Sequence, residues 1–491
     1  MATVVMPHGN PVQEVVFALF FPAFLKSYNG GPGMKRRMKR KNRLEVCHPN
    51  AAGIDLGSTE HYVAAPPGSD PEGQNVRCFR SHTPGLRAMA AWLLKCGVDT
   101  VAMETTGVYW VPAFEILENA ELKVFLVHAG HLKYVPGRKT DVLDCEWIQE
   151  VHTFGLLSSC FRPEQDIVYL RTLVRQRRTL VEQASQHILH MQKALDQMNV
   201  QVHRAVTDIT GKTGMSIIRS ILAGNHDPET LASYRNPRCK HSVAEIAKAL
   251  SGNFRQDYLF TLRQALESYD HANAQMIACD LEIEAALGRI ESKIDPTAKP
   301  VPPRRGRLKP QGNEPKFELR EHLYRIHGQD LTQIEGIQAT TVLDITSEVG
   351  TDMSRWPTVK HFCSWLALCP GNRKTGGVNK SSKSRKSANR AAAAFRRAAS
   401  SLSRSRGPLG SYYRRMKRNL DTAEVVTAVA HKLARIYFSM LVNDVKYKPE
   451  LHEEDPEKTR NRALKRLFKR AKSLGYIVVN PTTGEVSSNV A

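Results

Sequence analysis

The chain predicts a mixed α/β first domain, a long helical middle and a basic, mostly helical C-terminal domain. Three observations carry this. Between residues 50 and 151 short apolar stretches alternate with amphipathic ones, as strands covered by helices do. Across residues 167–198 Leu, Val and Ile recur at spacings of three and four, the period of a long helix. Residues 371–420 then hold 15 Lys or Arg and no acid, whereas an ordinary solvated surface mixes both signs.

Residues 1–45 read as a disordered, basic extension: the apolar "VVFALFFPAFL" has no basic region before it and is interrupted by Pro22, unlike a signal peptide. The first domain follows over 46–160. "AAGIDLG", "HYVAA" and "VRCFRSH" read as a strand meander, and "GLRAMAAWLLKCG" as a helix ending at a glycine. Strand "DTVAME", helix "VPAFEILENA", strand "KVFLVHA" and helix "TDVLDCEWIQEV" complete a mixed sheet with helical cover. Over 161–294 two long helices should pack together like a coiled coil. The "GKTG" between them lacks the P-loop frame and its preceding strand. Residues 295–316 carry six prolines and form a linker. Within 317–446, "DLTQIEGIQATTVLDITSEVG" suggests a helix-hairpin-helix-like element, and "TAVAHKLARIYFSML" a packing helix in which His431 is structural. The tail, 447–491, contains the basic amphipathic helix "KTRNRALKRLFKRAKSLGY".

A formal charge of +22 and a pI near 9.7 favour a polyanionic partner, with nucleic acid first and a membrane surface second. No apolar segment reads as long enough to span a bilayer. Nine cysteines without a CxxC pair suggest neither a zinc ribbon nor a disulfide framework. A bacterial cytoplasm, at the nucleoid, fits.

Four acids stand at special places. Asp55 lies inside an apolar strand, Glu104 ends another, and Asp141 and Asp144 open a helix three residues apart. Singly, each reads as a cap or turn residue, and Asp141 as a first-turn acid favoured by the helix dipole. Together they can converge at one sheet edge, where like charges repel unless a cation joins them. Hard oxygen ligands suit Mg²⁺ or Mn²⁺, and such ions can clamp a phosphodiester. Arg138 and Lys139 just before are placed to contact a nucleic-acid backbone.

"GIDLG", "METTGVYW" and "GRKTDVLDCEWI", in this order and spacing, resemble the Asp-Glu-Asp-Asp signature of Piv-like insertion-sequence transposases, the 110/1111 family of bridge-RNA-guided recombinases. The resemblance spans about residues 48–446. It implies a RuvC-like, ribonuclease-H fold for the first domain, with the four acidic positions on Asp55, Glu104, Asp141 and Asp144. It continues in "LALCPGNRKTGGVNKSSKSRKSANRAAAAFRRAA", where the family's second domain carries a hydroxyl nucleophile ahead of a basic stretch. That position falls on Thr375 in place of the usual serine; Ser381 and Ser382 are the alternatives. Arg373, Lys374, Lys380, Lys383, Arg385 and Lys386 are the corresponding nucleic-acid contacts. Without the resemblance the segment reads as a flexible phosphate-binding loop.

The function implied is transposition of an insertion sequence through a covalent phosphoryl-protein intermediate. The partners implied are element and target DNA, a bridge RNA and further copies of the chain, as a homodimer or homotetramer. Two rival readings are a metal-dependent nuclease or junction resolvase using water, and a non-catalytic nucleic-acid-binding protein.

Overall fold

A computed structural model describes residues 45–477 except 106, 129–140, 238–240, 296, 305–312 and 454–455; the side chains of Asp141, Arg204, Ala205, Arg373, Lys374, Asn379, Pro456, Lys458, Thr459 and Arg462 are also outside the description. The N-terminal extension to residue 44, Arg138, Lys139, the middle of the proline-rich linker and the end of the tail therefore lie outside the described residues. The chain divides into two compact units at residues 161 and 162.

The first unit is built on strands β1 (Ala51–Leu56), β2 (Glu60–Ala64), β3 (Val76–Arg80), β4 (Thr100–Glu104) and β5 (Lys123–Val127). Their order is β3-β2-β1-β4-β5; β1–β2 and β2–β3 are antiparallel, while β1–β4 and β4–β5 are parallel. Helices α1 (Thr83–Lys95), α2 (Trp110–Asn119) and α3 (Asp141–Thr153) cover the sheet. The sequence signals are local: β1 is a run of small and branched apolar residues, and α1 starts with Pro84 behind the His82 cap and ends before Gly97.

Strand alternation sorts the faces. Ile54, Val101 and Met103 pack with Leu86, Met89 and Leu93 of α1 and Phe114 and Leu117 of α2. Ala102 and Val127 instead pack with Ile148 of α3. The five-stranded mixed sheet with its helices fits a ribonuclease-H-like domain, as the resemblance implies.

The second unit is mostly helical. It contains α4 (Gln165–Gln197), α5 (Val202–Ala205), α6 (Lys212–Leu222), α7 (Pro228–Ser233), α8 (Val243–Leu250) and α9 (Gln256–Arg289). Then come α10 (Leu319–His327), α11 (Ala339–Val349), α12 (Val359–Trp365), the hairpin β6 (Arg373–Thr375) and β7 (Val378–Ser381), α13 (Arg390–Ser401), α14 (Pro408–Met416), α15 (Thr422–Val442) and α16 (Pro456–Ser473). The long α4 and α9 lie together, joined by an Arg177–Asp280 ion pair. Arg175 of α4 holds Glu348 of α11 through two 2.8 Å bonds, and Arg171 donates to the Ser347 and Glu348 carbonyls.

Two local readings differ. The first limb of the helix-hairpin-helix-like element is a single 3-10 turn, Leu331–Gln333, ahead of α11. Contrary to the expectation that no segment is long and apolar enough to span a bilayer, α15 passes that test by length and composition, with a mean hydropathy of 1.4. Its apolar stripe, from Val425 through Val429 and Leu433 to Tyr437, is buried in the core of this unit.

Candidate active site

The two parallel strands at the centre of the sheet, β1 and β4, end side by side. Their last paired residues are Ile54 and Met103, and the next residue on each is an acid, Asp55 and Glu104. Both are half-buried in strands whose other residues are buried. Alternation puts Asp55 on the face of Gly53, and Glu104 on the face of Thr100 and Ala102, which is the face covered by α3. Carboxyl ends of parallel strands are where open α/β sheets bind ligands.

The close seating of α3 depends on Gly53. A Cβ there would lie 2.3 Å from the Cys145 carbonyl oxygen and 2.3 Å from the Gln149 nitrogen, so only glycine lets strand and helix backbones meet. The Gln149 amide ties the same pair together by donating to the Ala51 carbonyl at 3.2 Å. Cys145, Ile148 and His152 form the inward stripe of α3. Asp141 and Asp144 lie one turn towards the N-terminus on that stripe's edge, and Asp144 is half-buried.

Buried polar groups register this packing. Burial first, and then the negative charges of Glu146 and Asp55, push the Cys145 thiol up to about 12. The thiol thus stays protonated, and Asp55 acts across the strand–helix seam. At the other end of α3, burial chiefly, together with His48 and Lys123, pulls His152 down to about 4. Thr100 Oγ1 donates to the Lys123 carbonyl at 3.1 Å, so the 3.0 Å contact with His152 is a bond given by its Nε2–H. A neutral His152 locks the far end of the helix whose near end carries the two aspartates.

As donors, the four carboxylates fit a hard divalent cation. Asp55 and Glu104 share the face of the sheet that is covered by α3, the helix that carries Asp144. Among the described residues no group of three or more His, Cys, Asp or Glu is close enough to hold a metal ion. The Asp141 side chain lies outside the described residues, as do Arg138 and Lys139.

Thr375 belongs to a different kind of structure. The segment that reads as a flexible loop is a two-stranded hairpin, with Thr375 paired to Val378 and Lys374 to Asn379. Gly376 and Gly377 form its two-residue turn at φ +57° and +80°, the left-handed region such tight turns require. Thr375 is exposed at the tip. Ser381, on the returning strand, accepts from the Lys383 N–H at 3.3 Å, and Ser382 is exposed. Lys380, Lys383, Arg385 and Lys386 are exposed around the hairpin, and Arg385 donates to the Ser364 carbonyl at 2.7 Å. For Arg373 and Lys374 only the backbone is described.

Two structural roles have no place in the sequence reading. Gly53 is one; its signal was a glycine inside a buried strand. Glu335 is the other: its carboxylate accepts from the Leu409 N–H at 2.8 Å and the Gly410 N–H at 3.3 Å, so an internal acid already caps α14.

Residues 52–200, which include all four acids, match a family model described as a transposase, of the DEDD type named for IS110. Residues 328–414, which include the hairpin, match a model described as the transposase IS116/IS110/IS902 family. No curated protein matches the chain. Two models of one group, in chain order over the acid-bearing unit and the hairpin, make this chain a member of the IS110 family of transposases, proteins of DNA recombination.

Proposed function

We propose that the chain moves an insertion sequence by transesterification, with a protein hydroxyl as the nucleophile. Asp55, Glu104, Asp141 and Asp144 would hold Mg²⁺ or Mn²⁺, which supplies charge neutralisation at the phosphodiester. Thr375 Oγ attacks phosphorus, the new Oγ–P bond replaces the bond to a deoxyribose oxygen, and that oxygen takes the proton the threonine gives up. No water enters, so the phosphoester is conserved and the reverse step can join a new strand end. Lys380, Lys383, Arg385 and Lys386 grip the backbone flanking the attacked phosphate. Target choice is delegated to a structured RNA that pairs with both DNAs. Copies of the chain would assemble through α4 and α9, where Phe260 and Leu281 are each 63% exposed.

The observation that carries this reading is the exposed Thr375 at the tip of a Gly-Gly hairpin, in a stretch, residues 371–420, that holds 15 Lys or Arg and no acid. A suicide substrate bearing an element end tests it. A covalent protein–DNA adduct on the Thr375 peptide is expected, retained in Thr375→Ser and lost, by on the order of 10³-fold or more, in Thr375→Ala. Adducts on Ser381 or Ser382 would move the role; cut DNA without any adduct would make the protein a water-using nuclease.

A further inference from the structure

The second unit carries a cavity of about 630 Å³ between α15, Tyr412 of α14 and the chain from Asn443 to His452. That is the size range of small-ligand sites. Apart from Val359 and Tyr412, its lining lies beyond residue 414, outside both matched segments, and neither the acids nor the hairpin touch it.

Its charge is one-sided. Lys432, Arg435, Lys446 and Lys448 line it together with His431 and His452, and no Asp or Glu does. Among the described residues the ion pairs of this part of the chain are Arg320–Asp330, His322–Glu284 and Arg397–Asp344, and none involves those four. Like charges around a concave wall repel, and lowered dielectric strengthens the repulsion. Burial, then Arg415 and Arg435, hold Lys432 below the usual lysine range. Burial, and then Lys432, do the same to His452. A folded unit that keeps such a cluster unneutralised is built to receive an anion.

Aromatic surface stands beside the charge. Lys432 Nζ lies 4.3 Å, and the Arg415 guanidinium 5.1 Å, from the centre of the Tyr412 ring. The Tyr447 and His452 rings stack 5.6 Å apart with 29° between their planes. Phe438, Met440 and Leu451 add apolar wall. A free inorganic anion would use the cations and leave the rings idle; a phosphate joined to a flat heterocycle uses both.

We propose that this cavity takes one unpaired nucleotide of a nucleic-acid strand, its phosphate against Lys432 and Arg435 and its base against Tyr447 and His452. The proposal rests on the nucleic-acid reading above, and asks which part of the strand this unit holds apart from the duplex gripped near the hairpin. The strand is RNA or DNA; the chemistry is shared.

The test uses the full chain and fluorescein-labelled oligonucleotides: hexameric single-stranded DNA, hexameric single-stranded RNA and a blunt duplex. Two variants are compared with wild type, Lys432→Gln and the surface pair Arg435→Gln with Lys446→Gln, the second chosen because both side chains are exposed and outside the core. Single-strand affinity is expected to fall by roughly 10-fold or more, as losing one stacked, phosphate-held base would give, while duplex affinity stays within about twofold. Loss confined to RNA or to DNA supports the proposal and names the strand. Equal loss for duplex and single strands, no loss for either strand, or equally tight binding of a hexaglutamate peptide overturns it. A wild-type chain that binds duplex but neither single strand overturns the cavity's role alone; one that binds no nucleic acid overturns the proposed function as well.

Discussion

The acid-bearing edge of the first unit and the hydroxyl-bearing hairpin of the second solve opposite problems. Asp55 and Glu104 end buried strands under a helix, and their placement needs backbone contact between residues 53 and 145–149, far apart in sequence. Thr375 depends on a two-residue turn and a few neighbours, and stands exposed. Holding acids at the ends of buried strands demands a packed frame, because a half-buried carboxylate has few places to move. An exposed hairpin tip in a stretch rich in cations needs no such frame, since its few residues are set by a local turn.

The sharpest way to break this contrast is to neutralise the frame's acids. Asp55→Asn and Asp144→Asn keep size and hydrogen bonding but remove charge, and element excision in cells should fall by about 10²–10³-fold. Melting temperature should stay near that of wild type, so that lost excision reads as lost chemistry and not lost fold. Excision at wild-type rates in both variants would strip the edge of its catalytic part.

A paired glycine comparison probes rigidity next. Gly53→Ala forces a methyl into backbone atoms at 2.3 Å and should cost about 3 kcal/mol of stability. Gly377→Ala meets nothing within 4 Å and suffers only its φ of +80°, so about 1 kcal/mol is expected, confined to the hairpin. Urea unfolding of the full chain reads both; equal costs would remove the distinction drawn between the two regions.

The smallest effect is on pH. His152 is held well below its unfolded value near 6.5, so its contribution to stability is whole above that pH and is lost as pH falls towards 4. The unfolded chain takes up a proton that the folded unit refuses, at a cost of roughly 2 kcal/mol between pH 7 and pH 5. His327, buried in the second unit and pulled down to about 3 by burial and Lys293, acts in the same direction. His152→Gln should flatten the acid slope for hydrogen-exchange protection of β4 and α3 and leave that of α11 and α15 unchanged. A slope that persists in β4 would assign it to other groups.

Much of the fold was legible. "AAGIDLG", "DTVAME" and "KVFLVHA" became β1, β4 and β5, and the three-four spacing at 167–198 became α4, because apolar periodicity is a local property that burial then uses. The hairpin was half-legible. "TGGV" holds the Gly-Gly signal of a two-residue turn, but the surrounding basic residues mask it as loop. The length and apolar content of α15 were misjudged because its few charged residues lie on one side of a stripe that the core covers.

Sequence alone determined the kinds of group present: four acids at strand and helix ends, a hydroxyl beside two glycines, and a run of cations without acids. These follow from residue type and short spacing, which no fold can alter. Tertiary structure decided which groups share a face. Only the approach of α3 to Gly53 seats the helix that carries Asp144 on β1, and only the packing of α15 against the chain after it gathers Lys432, Arg435 and Lys446 around one cavity. Contacts between residues distant in sequence arise from burial and backbone clearance, and neither is written in any single stretch of the chain.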